Sequence, residues 1–298
     1  MRRIANRSQG SRFTPAERYG FLLPGLIVLF LLNLFPMLYS LWVSFQRYNL
    51  SDVTDRHFVG LSNFVTDITN PTFLHALFIT LFLTIVTVLA QLCFGMIIAL
   101  VLNRSDIVGR RFFSTVFLLP MAVSPLVVGI LWRFMLNPSF GVLSYFVDNI
   151  AGTHVDLLTH PLLAVVSVLV TYTWAWTPFT TLFLYSALLG VEKEYREAAQ
   201  IDGARNLRIV WSIEIPVIRN LIVLVVLLQT IAAFRMFTVP VLLTNGGPGT
   251  TTQTLSYLIW QQGLNYFDMG AASSMSWIMV VIASVFAMLF LRFGQFEV

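Results

Sequence analysis

Long windows without a charged residue alternate with short polar stretches along this chain. Windows 20–45, 76–103, 112–132, 161–191 and 269–291 contain no Asp, Glu, Lys or Arg, and a sixth, 220–243, is interrupted only by Arg235. A helix needs about 20 apolar residues to cross a bilayer core. The pattern therefore predicts an all-α integral membrane protein with six spanning helices. The first window is too long for the apolar region of a cleaved leader, and five more follow it. Pro24 and Pro36 fall in the first window and are expected to bend it. Pro120 and Pro125 lie close together in the third and predict irregular backbone there, facing protein or a cavity.

Composition fits this picture. The chain is 57% hydrophobic and 11% charged, with a mean hydropathy of +0.79. Basic residues then orient it. If the N-terminus is cytoplasmic, the inner segments hold all of the 18 basic residues except Arg47, Arg56, Arg133 and Arg235. Both termini are thus expected in the cytoplasm, with a basic tail over 1–19 preceding a membrane domain over 20–298. The net charge of +4 becomes a topology signal, and no nucleic-acid partner is implied.

Several chemistries are excluded. A phosphate-binding loop needs Gly-x4-Gly-Lys-Ser/Thr. Here the one lysine, Lys193, follows Glu192, so no such loop exists. "NGGPG" at 245–249 reads as turns. No window contains an acidic residue, which disfavours an ion-coupled carrier. His57, His75, His154 and His160 fall in or beside outer loops without shared spacing. Cys93 is the single cysteine, which excludes a disulfide or thiolate site, and it is expected to be a small core residue. The chain is expected to be non-catalytic, with no metal or cofactor of its own.

Three places carry candidate chemistry. "TYTWAWTPFTTLFLY" at 171–185 combines hydroxyls with Trp174, Trp176 and Pro178 well inside a window, a combination that suits a sugar path. Arg235 sits about 12 Å short of the end of its window at 1.5 Å per residue. It should meet a carboxylate (Asp268 is the candidate), a carbonyl or a wet cavity, since lipid exposure would cost at least about 2.5 kcal/mol. The third place is the polar segment 191–216. Lys193–Pro216 holds eight of the 32 charged residues (18 basic, 14 acidic). Its first half predicts a short helix with a Glu192–Arg196 pair at i, i+4 and a break at Gly203. Its second half turns apolar up to Pro216, which suits the first turn of the next span. A connector of this length exceeds what a hairpin needs. The small Ala198–Ala199 step, with Glu197 and Asp202 at its rim, would fit a partner's groove.

At this segment Glu197-Ala198-Ala199, three residues, Gly203, nine residues and Ile213-Glu214-Ile215-Pro216 resemble the EAA loop of binding-protein-dependent ABC importer permeases, with Ile215 in place of Leu. "HFVGLSNF", "RRFFSTVFLLP" and "LLTNGGPGTTTQTLSYLIWQQGL" resemble the branch containing the larger maltose-transporter permease. The resemblance implies a six-helix core, type I importer architecture, and a coupling helix at Glu197, Ala198, Ala199, Asp202 and Gly203 seated on a cytoplasmic ATPase. It also implies a second permease subunit, two ATPase copies that bind Mg-ATP, an extracytoplasmic solute-binding protein, and residence in a prokaryotic inner membrane. Matched on the motifs, the substrate path falls at Tyr172, Ala175, Trp176 and Phe179, and at Gln229, Ala232, Ala233 and Met236, with Arg235 beside them. The expected cargo is an oligosaccharide, with glycerol phosphate or a polyol as the alternative and an ion-coupled carrier as a remote one.

Overall fold

A computed structural model describes residues 15–104 and 109–293. In chain order the elements are α1 (Pro15–Leu29), a π turn (Phe30–Leu34), α2 (Phe35–Ser44), β1 (Gln46–Asn49), β2 (Asp52–Phe58), α3 (Ser62–Thr69), α4 (Pro71–Leu102), α5 (Arg110–Ala122), α6 (Pro125–Met135), α7 (Val142–Ala151), α8 (Pro161–Leu189), α9 (Lys193–Ile201), α10 (Asn206–Ile209), a π turn (Val210–Glu214), α11 (Ile215–Phe234), α12 (Thr238–Thr244), α13 (Leu255–Trp260), a π turn (Gln261–Asn265) and α14 (Met269–Phe293). Five helical runs are long and apolar enough to span a membrane, and α5 with α6 supplies a sixth pass broken by a 101° bend. Of the expected basic tail, residues 1–14 lie outside the described residues, and helix α1 reaches back to Pro15.

Pro24 and Pro178 lie inside α1 and α8 without ending them, whereas other prolines stand at departures from straight helix. Pro36 and Pro216 each follow a π turn by two residues. In an unbroken α-helix each ring would press on the carbonyl four residues earlier. The π turn lets Phe35 N–H reach the Phe30 carbonyl, and Ile215 N–H reach that of Val210. Pro216 therefore does not open a helix, as its position suggested, but lies within a helical run over Asn206–Phe234. The third window is not one straight span: it breaks at Val123 and Ser124, just before Pro125. The sixth window also breaks early. Helix α11 ends at Phe234, and a new helix, α12, starts at Thr238 with Pro240 in its first turn, where its missing N–H leaves the Met236 carbonyl without a helical partner. That freed carbonyl instead accepts from Thr254 Oγ1 at 3.0 Å.

The most extensive contact in the fold is between α4 and α8. A stripe of Ala76, Thr80, Thr84, Thr87, Gln91, Gly95 and Ala99 is buried on α4, with Ala76 and Thr80 turned toward α13 and Gly95 against Thr180 of α8, while Phe78, Phe82, Ile85, Leu89 and Phe94 point outward. Small and polar residues thus share the buried face with Phe73, Ile79, Leu83 and Val88, as expected where small and polar residues let helices approach within lipid. Cys93 lies on the outward face and is exposed, contrary to its expected core position, because it is offset by two positions, about 200° of helix, from both Gln91 and Gly95 on the stripe. Most of the threonine hydroxyls expected to line a sugar path at 171–185 are bonded within α8 in this structure. Thr171, Thr177 and Thr181 donate to the carbonyls of Ser167, Thr173 and Thr177 at 2.7, 2.6 and 3.0 Å.

Between the first two passes the chain forms an unexpected hairpin, β1 against β2, with Gln46 opposite Phe58. Asn63 of α3 clamps its base, donating from Nδ2 to the carbonyls of Ser44 and Gln46 at 2.9 Å each. Asn70 caps α4 by accepting the Thr72 N–H at 2.8 Å. Asp67 of α3 is buried and accepts a hydrogen bond from Ser274 Oγ. Burial pushes its carboxyl up to about 6; the Ser274 bond opposes this and Asp268 adds to it. A native carboxyl that holds its proton beyond the unfolded value stabilises the fold at low pH, and that contribution fades as pH rises from about 4 to about 6. Thermal unfolding in detergent is therefore expected to show wild-type stability declining across this interval. Asp67→Asn should flatten the decline, and an unchanged pH profile in the variant would refute the assignment.

Candidate functional site

The polar segment folds as a helix, an elbow and a return. Helix α9 ends at Ile201 with Asp202 as its cap, and Gly203 takes the left-handed conformation at φ +77°, matching the expected break. A β-carbon at Gly203 would meet nothing within 4 Å, so its conformation alone calls for glycine. No residue of α9 is buried, and among the described residues the helix forms no extended packed interface with another element. Glu197, Ala198, Asp202 and Gly203 are exposed, and Ala199 is half-buried. Around them stand large apolar side chains in the open: Tyr195, Ile201 at 87% exposure, Leu207 and Trp211. Such a cluster on an otherwise polar segment marks an interaction surface. Those four residues were not singled out from the sequence, although large apolar residues inside a charged connector were the available signal. Arg196 was expected to pair with Glu192 and instead pairs with Glu214, whose side chain is 2% exposed. A pair 18 residues apart depends on the elbow and has no local signature.

The second group surrounds the chain breaks at 123–124 and 235–237. Tyr172, Ala233 and Met236 are buried in one cluster with Ile79, Leu83, Val239 and Leu243. Ala175 and Trp176 line a 70 Å³ cavity with Pro120, Val123 and Val239, at the bend of the third pass. Phe179 is half-buried, its ring 4.6 Å from that of Phe183 and 6.4 Å from that of Trp176. Ala232 is half-buried on α11. Gln229 is buried, and its Nε2 donates to the Trp176 carbonyl at 3.2 Å and to Thr180 Oγ1 at 2.9 Å, tying α11 to α8. Most of the motif-matched positions thus pack the junction of α4, α8, α11 and α12 in this conformation.

Arg235 stands apart from them. It occupies the cap position after α11 and is exposed on a groove of 560 Å³ with Phe237, Ser256, Trp260, Ser276 and Met279. Its guanidinium has no hydrogen-bond or ion-pair partner among the described residues. Asp268 is not its partner: that carboxylate accepts the Ala271 N–H at 3.0 Å at the start of α14. The "NGGPG" segment forms turns as expected, with Asn245 and Gly246 both at positive φ and the Tyr257 ring against Gly246. Among the described residues no group of His, Cys, Asp and Glu is arranged to hold a metal. The four histidines are all exposed; His75 lies within α4 and His154 pairs with Asp148 at 2.8 Å.

Comparison with known proteins places this architecture. The profile of the family described as binding-protein-dependent transport system inner membrane component matches residues 91–296. The trehalose/maltose transport system permease protein of Thermococcus litoralis is 30% identical over 279 residues, covering 94% of each chain. An sn-glycerol-3-phosphate transport system permease protein of Agrobacterium fabrum is 29% identical over 278 residues, covering 93% of this chain and 94% of its own. Among solved structures, a bacterial ABC transporter involved in the import of the acidic polysaccharide alginate superposes with a TM-score of 0.82 at 22% identity, covering 93% of this chain and 94% of that one. The chain belongs to the family of binding-protein-dependent transport system inner membrane components.

Proposed function

We propose that this chain is the permease subunit of an ATP-driven carbohydrate importer, forming half of a translocation pathway with a second permease. On this reading α9 and its elbow dock on a cytoplasmic ATPase present in two copies, which binds the Mg-ATP. Both termini lie in the cytoplasm of a prokaryotic cell, and a solute-binding protein delivers cargo from outside. The observation that carries this is the exposed helix α9, with Tyr195, Ile201, Leu207 and Trp211 uncovered around it. The spacing of Glu197, Ala198, Ala199 and Gly203 and the trehalose/maltose relative support the same reading.

The test is uptake into vesicles carrying the complete complex and its binding protein, with ATP inside and radiolabelled maltose, trehalose and glycerol-3-phosphate offered in turn. Uptake of a sugar that requires ATP and ignores a protonophore is expected. Uptake abolished by protonophore and indifferent to ATP would defeat the proposal.

Arg235 favours a second reading of the cargo. A cation lining a groove beside two serine hydroxyls and an indole suits a phosphorylated or carboxylated sugar. If the cargo is anionic, Arg235→Met should lower glycerol-3-phosphate uptake about tenfold or more, the scale of a lost charge-assisted hydrogen bond. Sugar uptake should then be little changed in the same vesicles. Equal effects on both solutes would remove this reading.

A further inference from the structure

We propose that Arg196 and Glu214 form a strut that passes movement of α9 into α11. This rests on α9 being the helix that meets the ATPase. Helix α9 has no buried residue, and Gly203 provides an elbow after it, so packing alone does not brace it. The brace is the ion pair from Arg196 to Glu214, at the root of α11. Glu214 is 1% exposed, and its second carboxylate oxygen has no partner among the described residues. A carboxylate so placed is costly unless paired, and removing one member of a buried pair costs far more than the pair contributes. The Arg196 guanidinium is therefore held where it is, through one of its nitrogens on one oxygen of Glu214.

Beyond Glu214 the chain is a single helix as far as Phe234. Gln229 lies fifteen residues further on, about 22 Å at 1.5 Å per residue. There its amide grips Trp176 and Thr180 of α8. Just past it the helix breaks at Arg235, between the groove and the buried junction. A displacement of α9 is thus carried by a charge pair, a helix and a hydrogen-bonded amide to the break. Arg196 and Glu214 are positioning residues, and neither touches cargo.

The test uses the whole complex in vesicles, with whichever of maltose, trehalose or glycerol-3-phosphate the uptake assay finds transported. The quantity read is solute moved per ATP hydrolysed, with ATPase co-purification recorded for each variant. Glu214→Gln keeps the shape and removes the charge. It is expected to assemble and to lower the ratio about tenfold, within the range by which mutations change coupling between distant sites. Arg196→Lys should assemble and retain most of the ratio. Arg196→Glu and Glu214→Arg should each lose it, and the double exchange should recover it to within about threefold of wild type, as expected when two sites interact directly. A Glu214→Gln complex that assembles and couples like wild type overturns the strut. So does a double exchange no better than its single parents in assembly or in ratio. If the wild-type complex shows no ATP-dependent uptake, the importer reading fails, and the strut falls with it.

Discussion

Glu197→Arg and Gly203→Leu should each nearly abolish ATP-driven uptake while leaving the spanning helices folded. Glu197 is exposed on α9 and contributes to no core cluster, so reversing its charge has little to disturb within the chain. Against a partner that meets it, a reversed charge at a docked surface costs several kcal/mol. Gly203 acts differently. Its φ of +77° costs a side-chain-bearing residue about 1–2 kcal/mol, and that cost falls on the elbow alone because a β-carbon there meets no neighbour. The elbow would relax toward negative φ and re-aim α9. Gly203→Asn provides the control, since asparagine tolerates the left-handed region. Uptake and co-purification of the ATPase are the measurements. Wild-type uptake in both Glu197→Arg and Gly203→Leu would remove α9 from the mechanism.

Gly95→Leu is expected to prevent the protein from folding to a monodisperse state at all. A β-carbon at Gly95 would lie 2.8 Å from Thr180 Cγ2 and 3.3 Å from the Thr181 backbone nitrogen. Thr180 has little freedom to turn away, because its hydroxyl receives the Gln229 hydrogen bond. A larger side chain must therefore push α8 off α4, at the most extensive interface in the fold. Overpacking of this kind costs about 1–3 kcal/mol or more, and here it would also unseat the Gln229 bridge. Gly25→Ala is the contrasting substitution, since a β-carbon there meets nothing within 4 Å. Size-exclusion profiles and unfolding temperatures in detergent distinguish them. A Gly95→Leu protein as stable as wild type would show that the α4–α8 contact is looser than described.

Much of this organisation was legible in the chain because lipid demands long charge-free helices, and such windows are visible without knowing what packs where. The elbow was legible too, since Gly203 is required by its own backbone conformation. What failed did so for identifiable reasons. Cys93 was assigned by residue type, whereas the helix face it falls on depends on which neighbours α4 meets. The β hairpin was hidden because every residue of β2 is exposed, so no alternation of polar and apolar positions announces it. The early end of α11 was hidden because residues 220–243 form one apolar run interrupted only by Arg235, with α12 starting again at Thr238. The Arg196–Glu214 pair and the Gln229 bridge join residues far apart in sequence, and only the folded chain brings them together.

The π turns at Phe30–Leu34 and Val210–Glu214 also bear on how this protein is compared and probed. Each amounts to a one-residue insertion that a helix has absorbed, and one residue is worth about 100° of rotation. The faces of the fifth pass before Val210 and after Glu214 therefore belong to two separate angular frames. A labelling scan plotted on a single helical wheel across Pro216 would assign Trp211 and Gln229 to mutually inconsistent sides. Homologues lacking that extra residue would present the same motif rotated on its stem, so a gap of one position there is a change of aim and not a gap in a loop.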